Sequence, residues 1–445
     1  MAGQWRAAWI DVTIPGDSTE PELDVTVKVR TSDGVHIGEY RLPVTVIPQS
    51  LPPLDIVNTH WFHCDGLAQY YNVDVFSDEH WAIIDNFLAS AAGMDVNSVL
   101  TPAWTPPIDT AVGGLRTPTQ LVSITDAGNC TFHFDFTMLE RWMSLCRSHG
   151  ITRLEMPHLF TQWGALATPA IYVMEGGRVE RRFGWDVPAT DPSYRALLEQ
   201  LIPALRSVLD THWGLSQVIF HISDEPNGDM AESYAAARAV VADLLEGCVI
   251  VDALSHFELH ASGLVPIPVV ATDAAQPFLD AQVEPLWLYY CVAQHRDVSN
   301  HFFSMPSSRN RVIGTQLYLT KAAGFLHWGF NFYNSVGSTR PLNPFLDTSA
   351  GGAFLAGDSF IVYPGPDGVA LPSIRYRVFT EAMTDHRAMQ LLRELAGDAE
   401  VRAIVDPDED VTLTHFSLDP DRYRRGRASV TSRISELLVP MQSRR

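Results

Sequence analysis

The chain is short of the signatures that settle a protein's class at a glance. Its 445 residues hold five cysteines, Cys64, Cys130, Cys146, Cys248 and Cys291. The count is odd, the spacing is irregular and no CxxC pair occurs. That excludes a disulfide framework or a cysteine-based metal knuckle and points to buried or half-buried free thiols in a reducing compartment. Cations are scarce too: 31 Lys and Arg stand against 52 Asp and Glu, a net charge of −21. A polyanion-binding protein needs clustered cations to displace counterions, so nucleic acid is excluded as a partner. No run reaches the ~18 apolar residues of a membrane span, so no membrane partner is expected. The opening Met1-Ala2-Gly3-Gln4-Trp5-Arg6 lacks the basic start and apolar stretch of a secretory leader. As written, the chain is expected in the cytoplasm, although it opens almost directly on a strand-like segment, which leaves room for an upstream piece. No GxGxxG or Walker motif is present after the first barrel-type strand, against a nucleotide site.

What is present has the composition of an ordinary globular enzyme, 46% hydrophobic and 19% charged. Residues 1–50 read as a β appendage. Ala7 to Ile14, Leu23 to Val29 and Ile37 to Ile47 alternate apolar and polar residues, with Pro15-Gly16-Asp17 and Ser32-Asp33-Gly34 as turns. Pro48 and Pro52-Pro53 mark a boundary. From there to about residue 398, strand-like runs alternate with amphipathic helical stretches, the rhythm of a parallel α/β fold.

Eight strands are predicted: Ile56–His60, Ser98–Thr101, Arg153–Pro157, Val218–Ile222, Val249–Asp252, Val269–Ala271, Leu286–Tyr290 and Phe325–Trp328. Helices are predicted at 78–92, 136–149, 192–208, 229–245, 274–281, 307–321 and 373–395, and longer insertions at about 103–134 and 159–190. Eight such units favour a (β/α)8 TIM-type barrel over residues 51–398. Residues 399–445 form a charged C-terminal extension. Its basic cluster, Arg422, Arg424, Arg425 and Arg427, reads as a solvated surface.

Barrel active sites lie at the C-terminal ends of the strands. There the sequence gathers polar and aromatic residues: His60, Trp61, His63 and Asp65 after strand one and Trp104 after strand two. His158, Gln162 and Trp163 follow strand three, with Asp224-Glu225 after strand four and Asp252 and Asp273 at strands five and six. Tyr289 and Tyr290 end strand seven, and His327, Trp328 and Asn331 follow strand eight. Core packing explains one or two such positions, but every buried polar atom needs a partner. Flat aromatics for C–H surfaces, with Asp, Asn, His and Gln for hydroxyls, suit a sugar site.

Asp224-Glu225 is the sharpest local signal, because a buried-strand run, Val218 to Ser223, leads straight into two carboxylates. The bland alternative is capping of the next helix, where acids suit the dipole. Adjacency also constrains chemistry. Retaining glycosidases ordinarily set two carboxyls ~5–5.5 Å apart across the scissile bond. Neighbouring side chains in extended chain diverge instead. Such a pair fits better if one residue protonates the leaving oxygen and the other steers a nucleophile carried by the substrate, such as a 2-acetamido group.

Several motifs in order resemble the catalytic domain of glycoside hydrolase family 123 and its uncharacterised relatives. They are His60-Trp61-Phe62-His63-Cys64-Asp65, His158 to Gly164, His221-Ile222-Ser223-Asp224-Glu225-Pro226, Gly324 to Gly329, and Gly357 to Gly365 followed by Ser373-Ile374-Arg375. The resemblance implies a barrel preceded by a β-sandwich, which would be truncated here. It also implies β-N-acetylgalactosaminidase-like activity without metal or cofactor. Asp224 would then orient the acetamide and Glu225 would be the general acid/base.

Three alternatives stay open. One is direct displacement of another sugar, with Asp65 or Asp273 facing Glu225. Another is a metal-dependent hydrolase using His60, His63 and a late Asp, although no further His pair follows strands five or six. The third is a non-catalytic carbohydrate-binding barrel. The oligomeric state is not legible in the sequence.

Overall fold

A computed structural model describes residues 8–442 apart from Asp17 and Thr19, with side chains through Leu438. All eight predicted barrel strands form: Val57–His60, Ser98–Leu100, Arg153–Glu155, Val218–Phe220, Val249–Leu254, Ile267–Ala271, Trp287–Tyr289 and Gly324–His327. They pair in chain order, all parallel, and the eighth closes on the first. The fold is the expected (β/α)8 barrel.

Strand parity divides the core in two. Val57, Leu100, Ile219, Val251, Val269, Trp287 and Leu326 point inward and form the barrel's own cluster. Their neighbours Val99, Leu154, Phe220, Val270, Leu288 and Phe325 point outward into the larger cluster shared with the helices. Period-two alternation produces this split, and a parallel barrel buries both faces. Each outward residue here is fully buried, a contribution of about 1.5–3 kcal/mol apiece. At Gly324 a Cβ would sit 2.4 Å from the Trp287 indole, so glycine lets Trp287 fill the barrel base.

The helices follow their caps. Ser77 accepts from the His80 N–H to start Asp78–Ala92, Asp191 caps Pro192–His212, and Ser373 caps the closing helix Ile374–Ala396. The long helix predicted at 307–321 is two, Ser307–Arg311 and Ile313–Leu319. A helix at Cys64–Tyr71 was not predicted.

The two insertions hold structure of their own. Ser123–Gly128 and Thr131–Asp135 from the first join Ile171–Glu175 and Arg178–Phe183 from the second in one four-stranded sheet.

The N-terminal appendage is a two-stranded ribbon, Glu22–Arg30 with His36–Thr45. The third expected strand does not form. Ala8–Ile14 is irregular, and Ala7 lies outside the described residues. The C-terminal extension is helical, Asp398–Val405 and Pro420–Gln442. Val401, Val430 and Ile434 pack on Tyr318 and Leu392 of the barrel helices. The basic cluster is ion-paired: Arg422 with Asp410, Arg424 with Asp421, Arg425 with Asp419 and Arg427 with Asp385. The five cysteines are free thiols, and Cys130 is exposed rather than buried. Among the described residues no helix is long and apolar enough to cross a membrane.

Candidate active site

At the C-terminal mouth of the barrel lies an open cavity of about 190 Å³. Asp224 and Glu225 line it, with Trp61, Asp109, Gln162, Trp163, Tyr289, Cys291 and Trp328 among the other walls. The carboxylate pair does not cap a helix. The next helical turn begins at Gly228, and its cap is Asn227, whose side chain accepts from the Asp229 N–H. The capping alternative therefore fails. Glu225 sits at φ 48, in the left-handed region where a non-glycine residue is strained. Its N–H holds the Ala253 carbonyl at 3.1 Å, and its Oε1 accepts from the Tyr289 hydroxyl at 2.6 Å.

Asp224 is 5% exposed, and its Oδ2 accepts from Gln162 Nε2 at 2.7 Å. Its carbonyl accepts from the Trp163 N–H at 3.2 Å, which ties the third and fourth loops together. Trp163 is 41% exposed and stands at the rim, where a flat ring can meet a sugar face. Burial raises the Asp224 carboxyl to about 8, with the charge of Glu225 adding to the rise and Gln162 opposing it. Burial also raises Glu225, against the Tyr289 hydrogen bond. Two adjacent buried carboxyls cannot both ionise cheaply, so the free site holds a proton between them near neutral pH.

The cavity takes Asp224, Glu225, Trp163, Tyr289 and Trp328 of the predicted site residues. His60, His63, Asp65, Trp104, His158, Asp252, Asp273, Tyr290, His327 and Asn331 do not line it. Parity explains much of this division. His60, His327 and Tyr290 point outward, where His60 packs on Phe325, His327 and Phe379, and Tyr290 packs on Phe325 and His327. Their neighbours Trp61, Trp328 and Tyr289 take the wall instead. Burial drives the His60 ring far below its ordinary pKa, so it is neutral. Trp104 is core, donating to the His158 carbonyl at 3.0 Å.

Asp65 is locked to Arg116 by two hydrogen bonds of 2.9 and 2.6 Å, and Arg116 also reaches the Ile108 carbonyl and His63. Asn331 holds both the N–H and the C=O of His63. Asp273 accepts from Gln294. Asp65 is therefore not free to face Glu225, and Asp273 lies outside the cavity wall.

A polar plug lies deeper in the barrel. Glu155 accepts from the Trp61 indole at 3.0 Å and from Ser98 at 2.7 Å, and meets His221 at 3.2 Å. His158 stacks on His221 with ring centroids 4.5 Å apart. His158, His221 and Asp252 bring three donor atoms within 4.8 Å. The set does not fit an ion. The imidazoles are nearly parallel, 22° apart, so their lone pairs do not converge. Asp252 already accepts from the N–H groups of Ile222 and Ser223 and from Tyr234. The metal alternative named His60 and His63, but these are held apart from each other's surroundings, His60 by aromatic packing and His63 by Arg116.

Sequence reasoning missed Asp109 and Arg116, which sit in an insertion with no usable periodicity. It also missed Asp358, within a quoted motif, which accepts from the Trp328 indole at 3.0 Å and so sets that wall.

A closed parallel barrel with a concave mouth, aromatic walls and a carboxyl pair is the architecture of a barrel enzyme with acid–base chemistry. The chain belongs to the family described as "Glycoside hydrolase 123, catalytic domain", which matches residues 61–392. It is a glycoside hydrolase, and its substrate is carbohydrate.

A family 123 glycoside hydrolase from Clostridium perfringens, described for glycolipid glycan hydrolysis, has a similar structure: TM-score 0.69 and 14% identity, covering 98% of this chain and 79% of that one. At that identity the likeness shows the fold. A β-galactosidase from Bacillus circulans sp. alkalophilus matches at TM-score 0.42 and 9% identity, covering 76% of this chain and 56% of that one, too distant to add to the assignment. No curated protein sequence matches the chain.

Proposed function

We propose that the enzyme removes a terminal β-linked 2-acetamido sugar, of the N-acetylgalactosamine type, with retention of configuration and with the substrate's acetamide as nucleophile. The observation that carries this reading is the adjacency of Asp224 and Glu225 in one cavity whose wall includes neither Asp65 nor Asp273. The acetamide carbonyl oxygen attacks the anomeric carbon as the glycosidic C–O bond breaks, giving an oxazoline-type ring. Glu225 gives its proton to the departing oxygen. Asp224 accepts the acetamide N–H, which favours its charged form and leaves the pair's proton on Glu225. In the second half Glu225 takes a proton from water, which opens the ring and restores both groups.

Trp163 and Trp328 would stack on the sugar, and Tyr289 would hold Glu225 in line. The glycolipid glycans named for the Clostridium perfringens enzyme are one natural source of such a terminal sugar. Residues 51–398 would form the catalytic unit, with 1–50 and 399–445 as additions to it.

Aryl glycosides with and without the 2-acetamido group test the reading. Turnover should require the acetamide, and a thiazoline mimic of the cyclised intermediate should inhibit strongly. Efficient turnover of plain glycosides without thiazoline inhibition refutes it.

A further inference from the structure

Asp109 is a third carboxyl in the cavity wall. Three barrel loops meet at this residue, and two of them hold it. Its N–H donates to Gln162 Oε1, its C=O accepts from Ser338 Oγ at 2.7 Å, and its Oδ2 accepts from the Gly337 N–H at 3.1 Å. These bonds fix a left-handed backbone, φ 43. Gly337 is itself constrained, since at φ 65 a Cβ would crowd Ala111 at 3.0 Å. Behind the loop, Arg116 holds the Ile108 carbonyl at 2.9 Å. Oδ1 carries no hydrogen bond from the described residues. The residue is 7% exposed, so a preorganised acceptor faces a small cavity.

Gln162 ties this residue to the reacting end. One face of the amide donates to Asp224 Oδ2, and the other accepts from the Asp109 N–H. The same amide therefore holds the Asp109 backbone beside the Asp224 carboxylate, and both residues line the one cavity.

We propose that Asp109 binds the ring hydroxyls of the terminal sugar on the side remote from the anomeric carbon, and so decides which sugar epimer the site accepts. The inference rests on the reading of the cavity as a sugar site. Burial raises this carboxyl to about 6, against the pull of Arg116, so at neutral pH it is ionised and accepts only. Charge-assisted hydrogen bonds are the strong ones, and a hydroxyl missing from its partner leaves Asp109 buried and unpaired.

The test pairs Asp109→Asn with the 3-, 4- and 6-deoxy versions of whichever aryl glycoside the wild type cleaves. Asn can still accept from Gly337, so the unfolding midpoint should hold; Asp109→Ser serves if it does not. In the wild type, removing the contacted hydroxyl should cut kcat/KM by about 10- to 100-fold. In the variant the parent substrate should lose a similar factor, and the deoxy substrate should lose almost nothing further. Additive losses at every hydroxyl overturn the proposal while leaving the glycosidase reading intact. Covalent labelling of Asp109 by a fluoroglycoside overturns it too, since Asp109 would then be a nucleophile. A wild type that turns over plain glycosides as well as acetamido ones, yet shows the coupling at Asp109, overturns only the acetamide mechanism.

Discussion

Replacing Asp224 by Asn should make the protein more stable while nearly abolishing turnover. In the unfolded chain this carboxyl titrates near 3.9. The folded site holds its proton up to about 8, through burial first and the Glu225 charge second. Between those values the folded state binds more protons than the unfolded one. By linkage, stability then falls as pH rises through the window, and the loss is complete only above the folded value. At pH 7 about three of those pH units have been crossed, which would be about 4 kcal/mol for an isolated group. Glu225 shares the proton, so about 1–4 kcal/mol is the expected gain for Asp224→Asn at pH 7. Asn keeps an acceptor for Gln162 Nε2.

Unfolding free energy measured by denaturant at pH 4, 5.5 and 7 checks this. For 445 residues the unfolding entropy makes the Tm shift only about 1 °C per kcal/mol, so thermal scans are the blunter assay. The gain should shrink toward pH 4, where the wild-type carboxyl is neutral in the folded state and about half protonated in the unfolded one. A variant no more stable than wild type at pH 7, or a gain that ignores pH, refutes the shared-proton picture. On any glycoside kcat should fall by about 10²–10⁴, the scale of a lost acid–base or orienting group.

Three further outcomes follow from the same geometry. Glu225→Gln should lose about 10²-fold or more on substrates with poor leaving groups and far less on activated aryl glycosides, which a leaving-group series measures. His60→Phe should keep kcat/KM within about twofold and hold or raise the unfolding midpoint, because neither ring nitrogen of this fully buried His60 has a hydrogen-bond partner among the described residues; a large loss of activity would return His60 to the site. Arg116→Met should cost about 3–5 kcal/mol of stability, because it strands buried Asp65, and should raise KM through the Ile108–Asp109 loop that Arg116 anchors.

The barrel was legible because each strand is a short apolar run bounded by a turn and followed by a helical stretch, and eight such units close on themselves. The four-stranded side sheet was not legible. Its strands come from two insertions separated by a helix and a barrel strand, and a pairing such as Thr125 with Met174 leaves no local trace. At the site, the position of Asp224-Glu225 after strand four could be read, since it needed only the strand's end. His60, Tyr290 and His327 lie outside the cavity wall, because polar character at a strand end does not fix which face a side chain takes. The alternation was present in the letters: Val57, Thr59 and Trp61 share one parity, while Asn58 and His60 share the other. Asp109 had no such handle, being held by contacts from distant loops.

The polar residues that miss the cavity still have a physical reason to cluster at the strand ends. Where a parallel strand stops, its last N–H and C=O groups lose their ladder partners, yet remain buried and must be paired. Asp252 answers this for the catalytic strand, taking the N–H groups of Ile222 at 2.9 Å and Ser223 at 3.3 Å. Ser223 in turn donates to the Thr161 carbonyl at 2.8 Å. Asn331 does the same for His63, and Arg116 for Ile108. These groups fix the backbone from which Asp224, Glu225 and Asp109 project. A barrel mouth therefore concentrates two kinds of polar side chain, one that meets ligand and one that replaces the missing ladder. Composition cannot separate them, whereas strand parity separates the pairs His60 from Trp61, Tyr290 from Tyr289 and His327 from Trp328.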